Sequence, residues 1–172
     1  MRRFIALAVL LVLVSIPTIA QNTPEAEVLG GFSTFVGYSQ TLRGWNASAN
    51  GNINDFLGIK GDFSGFYKSE NGLRLRLHTF TVGPQLSYRK NRRIVPFVHA
   101  LFGVAHASAG FQGLSFSDSS FAMNFGGGMD WVVHKNVAIR VIQTDVVVTY
   151  LGENASTDGR ISTGIVFRFG KK

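Results

Sequence analysis

His106 and Ser108 stand two positions apart in "HAS". An imidazole beside a hydroxyl is the minimum for base-assisted nucleophilic attack, because the ring can take the hydroxyl proton. On a strand that spacing puts both side chains on one face. The nearest positions on the following strand, Ser119, Ser120 and Ala122, hold no carboxylate to orient the ring, so the third member of a triad is missing. We expect no catalytic residue. The four histidines, at 78, 99, 106 and 134, are expected on different strands and levels, without metal-ligand spacing, so no metal is expected. "GGG" (Gly126–Gly128) sits inside a strand pattern with no helix after it. That rules out a phosphate loop and suggests close backbone packing or a bend. The sequence has no cysteine, hence no disulfide or thiol chemistry, and no cofactor is expected.

The elements that would position these groups begin after residue 20. Arg2 and Arg3, an unbroken apolar run from Phe4 to Val14 and the small Ala20 read as a secretory signal over 1–20. The run is shorter than the ~20 residues of a membrane helix. Cleavage after Ala20 leaves one domain, 21–172, of 152 residues, and removing Arg2 and Arg3 lowers the net charge from +7 to +5. No other segment has the ~18 uninterrupted apolar residues of a membrane helix. "YRKNRR" (Tyr88–Arg93) is the one dense basic run and reads as a solvated turn; nucleic acid is not an expected partner.

Period-two alternation predicts eight strands, at 28–38, 44–53, 57–67, 78–88, 96–107, 120–132, 137–149 and 160–169. The connections alternate between short ("NDF", "KNRRI", "HKN") and longer polar ones ("KSENGLRLR", "SAGFQGLSFSDS", "GENASTDG"), with "SQTLR" intermediate. That alternation matches a transmembrane β-barrel with short turns on one side and long loops on the other.

One face of each strand is bulky and apolar, as in Trp45, Ala47, Ala49 and Ile53. The other is small and polar, as in Asn46, Ser48, Asn50 and Asn52. A narrow eight-stranded lumen suits the small polar set, and the bulky set is tolerable outside only in lipid. A water-soluble barrel would reverse the two faces. Tyr38, Trp45, Tyr67 and Tyr150 fall at loop-side strand ends, and Tyr88, Trp131, Phe167 and Phe169 at turn-side ends, as two aromatic girdles. By the same parity Lys60, Asp62, Asp130, Arg140 and Arg168 face inward on the turn side, with His99 at a similar level. Buried charges persist when paired, so these five are expected to form a lumenal ion-pair network that plugs the barrel; the competing reading is a proton or ion path. Continuing the parity of Ile139 and Val141 would put Gln143 and Asp145 in lipid, which predicts a β-bulge near Ile142.

These residues resemble a family. The whole of 21–172 is similar to the eight-stranded OmpA-like outer-membrane β-barrels of Gram-negative bacteria. "STGIVFRF" looks like the C-terminal signal read by the barrel-insertion machinery, with Ser162, Gly164, Phe167 and Phe169 at its key positions. "VPFVHALFGVA" (Val95–Ala105) resembles the family's fifth strand. Members often stop on the final aromatic, whereas Gly170, Lys171 and Lys172 follow here. The resemblance implies an all-β, antiparallel, up-and-down barrel in the bacterial outer membrane. It also implies a monomer in contact with outer-membrane lipids and lipopolysaccharide, and a structural or host-surface role without shared chemistry. Both "NAS" sites, Asn46 and Asn154, fit the N-glycosylation pattern, but bacterial export and a lumenal Asn46 argue against modification. The His-x-Ser pair resembles that of lipid A deacylases, which are also eight-stranded. The first reading is a structural scaffold. Behind it stand an adhesin-like surface binder, a lipid A-modifying enzyme and a soluble periplasmic barrel.

Overall fold

The computed structural model describes residues 23–37, 41–70, 73–111, 114–151 and 154–170. The expected signal segment 1–20 and Tyr38 lie outside them. Eight strands close into one antiparallel barrel in sequence order, with β8 pairing back to β1. They are β1 (Ala26–Val36), β2 (Thr41–Asn52), β3 (Leu57–Glu70), β4 (Leu73–Ser87), β5 (Ile94–Phe111), β6 (Leu114–His134), β7 (Val137–Leu151) and β8 (Asn154–Phe169).

The alternation decides the faces. Asn46, Ser64, Thr81 and Asn124 are buried, whereas Phe32 is 78% exposed, Val98 57% and Phe80 56% on the outside. A water-soluble barrel would show the reverse, so the large apolar side chains here need a hydrocarbon neighbour.

The strands are longer than their alternation suggested. Most of the stretches expected as long polar loops, 68–76, 108–119 and 152–159, continue β3–β4, β5–β6 and β7–β8 as paired ladders. β5 has 18 residues and β6 has 21, against the ~9–11 that cross a bilayer. Beyond the lipid, neither face of a hairpin has to be apolar, so the period-two signal fades while the backbone hydrogen bonds continue. The connections on the other side stay short, at 53–56, 88–93 and 135–136.

The β-bulge expected near Ile142 is present. β6 and β8 both shift register against β7 between Arg140 and Gln143, so Val141 and Ile142 face outward together. Arg140, Gln143 and Asp145 are thereby all buried in the lumen. "GGG" serves close packing. A Cβ on Gly126 would collide with the Thr144 carbonyl and the Asp145 side chain, and one on Gly128 with the Ile142 carbonyl and the Phe97 ring.

The lumen is not polar throughout. Phe35, Leu42, Phe66 and Val147, with Leu75 and Leu77 against them, form an apolar layer toward the loop side. Leu29, Ala138 and Val166, with Val132, form a second one toward the turn side. The expectation of a plug made only of polar and charged groups missed both layers. Their residues share the inward parity but were hidden among polar neighbours.

Candidate functional site: the charged lumen

The bulge brings β7 side chains to face β6, β8 and β3. Arg140 makes a bidentate pair with Asp130, its Nε donating to Oδ1 at 2.7 Å and Nη2 to Oδ2 at 2.9 Å. Its Nη1 donates to Gln143 Oε1 at 2.7 Å, and Lys60 Nζ reaches the same oxygen at 3.2 Å. Gln143 Nε2 in turn donates to Asp145 Oδ2 at 2.8 Å. Arg160 connects the two halves. Its Nε donates to Asp145 Oδ2 at 2.7 Å, and its Nη1 to Asp62 Oδ1 and Ser64 Oγ, both at 2.6 Å. Lys60 Nζ stands 4.0 Å from Asp62 Oδ2. Three cations, Lys60, Arg140 and Arg160, therefore face three anions, Asp62, Asp130 and Asp145, all buried. Charges taken out of water this completely persist when paired and hydrogen-bonded, and the links through Gln143 and Ser64 supply those further bonds.

Phe97 forms the floor of the network. The Arg140 guanidinium carbon lies 4.2 Å and Lys60 Nζ 5.4 Å from its ring centre, and His99 stacks beside it with centroids 6.0 Å apart. A desolvated cation over an aromatic face gains from the ring quadrupole. His99 Nε2 comes within 2.8 Å of Asp145 Oδ1.

Four of the five charges expected to pair, Lys60, Asp62, Asp130 and Arg140, thus meet in one lumenal network. Arg168 does not join them. It sits at the turn-side rim, where Arg168 Nε lies 3.4 Å and Arg89 Nη2 2.9 Å from Glu27. The sequence reading left out Asp145 and Arg160, although Arg160 shares the inward parity of Ser162 and Asp145 the position behind the bulge. Strand tilt carries these two, from farther along their strands, to the level of Asp62.

Most of the remaining candidates sit on the outside. Trp45, Tyr67, Tyr88, Trp131 and Tyr150 are all exposed, and Trp45 packs edge-on against Phe63 at 5.2 Å. Phe167 and Phe169 face outward as well, Ser162 is buried and shares a hydrogen bond with Ser33 at 2.8 Å, and Gly164 lies opposite Gly31. His106 bonds Ser119, not Ser108, with 2.8 Å between Nδ1 and Oγ. His78 lies directly opposite His106 across β4–β5, which corrects the expectation that every histidine stands at a different level. No group of three or more metal-ligating side chains occurs among the described residues.

Known proteins share this architecture. The attachment invasion locus protein Ail of Yersinia pestis superposes with a TM-score of 0.63 at 20% identity, covering 86% of this chain and 99% of Ail. Ail has also been solved with the heparin analogue sucrose octasulfate. Neisserial surface protein A gives 0.63 at 16% identity, covering 84% of this chain and 96% of that one. The N-terminal β-barrel domain of Pseudomonas aeruginosa OprF gives 0.55 at 15%, covering 86% and 100%. These likenesses concern the fold. No curated protein matches the sequence. The family model described as outer membrane protein beta-barrel domain matches residues 6–169, and the chain belongs to that family.

Proposed function

We propose that this chain is an outer-membrane scaffold: a monomeric barrel with a sealed lumen that anchors rigid surface hairpins. One observation carries the reading. The lumenal network from Asp62 through Arg160, Asp145 and Gln143 to Arg140 and Asp130 lies between two apolar layers and is closed by short hydrogen bonds. An eight-stranded lumen has room for side chains and little else, which favours a plug over a path. The test is planar-bilayer conductance of folded wild type, Asp62→Ala and Arg140→Ala, alongside thermal unfolding in detergent. The plug predicts lower melting temperatures without steady conductance steps in any of the three; a sharp conductance rise in either variant supports the ion path instead. Export through residues 1–20 and recognition of Ser162, Gly164, Phe167 and Phe169 by the insertion machinery belong to the same reading.

A second reading, an adhesin-like surface binder, draws on a separate observation. Arg43, Tyr67, Arg76 and Ser108 fall in one cross-strand row on β2–β5, and Arg74 follows on the outer side. The three arginines are exposed on the outward face. Guanidiniums beside an aromatic belt suit the phosphates of lipopolysaccharide or a sulfated glycan of the kind represented in the Ail complex. Shortening the β3–β4 and β5–β6 hairpins separates the readings: a binder loses its partner, while a scaffold still inserts and resists heat. The enzyme reading rests on His106 with a serine hydroxyl nearby, and release of fatty acid from lipopolysaccharide by pure protein would establish it.

A further inference from the structure

The basic run "YRKNRR" is not absorbed by the scaffold reading. It forms the β4–β5 turn, and there it borders a cavity of about 590 Å³ at the turn-side mouth of the barrel. That size falls within the ~300–1,000 Å³ of ligand sites. Arg89, Lys90, Arg92, Lys135 and Arg168 line the cavity, over an apolar wall that includes Val132.

The carboxylates nearby do not neutralise this set. Glu27 is held by Arg89 Nη2 at 2.9 Å and Arg168 Nε at 3.4 Å. Asp55 accepts from Thr23 at 2.5 Å. Glu25, exposed beside Gly170, adds one negative charge at the edge. Lys90, Arg92 and Lys135 have no acidic partner among the described residues. Lys90 instead lies over the Tyr88 ring at 6.0 Å. Arg89 is 7% exposed and its buried Nε has no partner among the described residues, although its other nitrogens are bonded to Asp55 O, Glu27 and Asn52. A concave, partly desolvated mouth lined by one sign of charge focuses its field on a ligand of the other sign.

We propose that this mouth binds a short acidic peptide. The rim already shows how a carboxylate is held, since Glu27 lies between Arg89 and Arg168. The neighbouring cations Lys90, Arg92 and Lys135 offer the same chemistry to carboxylates from outside, and the Val132 wall takes apolar atoms of a peptide backbone or side chain. Because the cavity opens at the lumen mouth and not on the lipid face, its ligand comes from the aqueous compartment on the short-turn side, the periplasm in outer-membrane barrels. Acidic peptide is available there as a protein tail or as the peptide stems of the cell wall.

The test measures binding of fluorescein-labelled tetraglutamate to the full chain folded in detergent, so it stands apart from the membrane orientation and the scaffold reading. The expected result is binding that weakens at least tenfold from 50 to 500 mM salt. The triple change Lys90→Gln, Arg92→Gln, Lys135→Gln is expected to weaken it at least tenfold too. Arg93→Gln is next in the turn but off the cavity and should leave binding unchanged, and labelled tetraglutamine should not bind. Heat-modifiable migration checks that each variant is folded. Unchanged binding in the triple variant, equal loss in Arg93→Gln, equal binding of tetraglutamine, or full displacement by equimolar inorganic phosphate would each overturn the proposal. With binding established, co-sedimentation with purified cell-wall sacculi that is lost on amidating their carboxylates assigns the cell wall as source. Tetraglutamate binding without co-sedimentation assigns a protein tail.

Discussion

Arg160 on β8 reaches Asp62 on β3 at 2.6 Å although β1 and β2 separate their strands around the barrel. This is a tie across the lumen, not along the sheet. It closes the barrel from within, and the second arm of Arg160 holds Asp145 on β7 at 2.7 Å.

Removing that tie should be costly. Arg160→Met leaves Asp62 and Asp145 buried with less compensation, so unfolding in urea and detergent is expected to show a loss of about 3–5 kcal/mol. Arg168→Met, at the rim with a 3.4 Å contact, should lose clearly less. Equal losses would mean that Arg160 does not organise the lumen.

The β7 bulge should be indispensable. Deleting Val141 and Ile142 together removes both residues of the bulge and leaves Arg140 and the Gln143–Asp145 pair on opposite parities, so one or the other must then face lipid. A charge at mid-bilayer on the lipid face costs ~2–4 kcal/mol for Arg or Lys and less for Asp. We expect the deletion to abolish the heat-modifiable gel shift on refolding into vesicles. Normal refolding would show that the register readjusts without cost.

Gly126 and Gly128 should tolerate no side chain. Gly126→Val places a branched group against the Thr144 carbonyl and the Asp145 carboxylate, and Gly128→Val against the Phe97 ring that supports Arg140. Overpacking of this kind costs about 1–3 kcal/mol or more. Gly51→Ala, with open space around the site, is the matched control and should melt like wild type.

The contact between His106 and Ser119 should be a minor surface feature. Ser119→Ala removes one exposed hydrogen bond, worth about 1 kcal/mol or less. Wild type incubated with lipopolysaccharide should release no fatty acid. Release that disappears in Ser119→Ala would convert the pair into a catalytic one.

Much of the barrel was legible because lipid imposes a strict rule on alternate residues. Wherever a strand crosses the apolar layer, as at Trp45–Ile53 or Phe80–Tyr88, the alternation reveals both the strand and its faces. The same rule exposed the bulge, since Gln143 and Asp145 could not remain on the parity of Ile139. Where water replaces lipid the rule lapses, and the outer ends of β4, β5, β6 and β8 passed for loops. The lumen was only partly legible. Parity placed Lys60, Asp62, Asp130 and Arg140 inside, but strand tilt decides which levels meet, so Arg160 and Asp145 were missed and Arg168 was grouped with charges it does not reach. Inward apolar residues such as Phe66 and Leu42 carried no signal in a face otherwise read as polar.

The central claim is that the apolar face meets hydrocarbon while charges seal the centre. Its most direct measurement uses the two tryptophans, Trp45 and Trp131, both exposed on the outer face. Single-tryptophan forms, Trp45→Phe and Trp131→Phe, are refolded into vesicles of lipids brominated either near the headgroup or at mid-chain. The account predicts that bromines near the headgroup quench each tryptophan more strongly than those at mid-chain, with little quenching by aqueous acrylamide. Strong acrylamide quenching with no effect of either brominated lipid would contradict it.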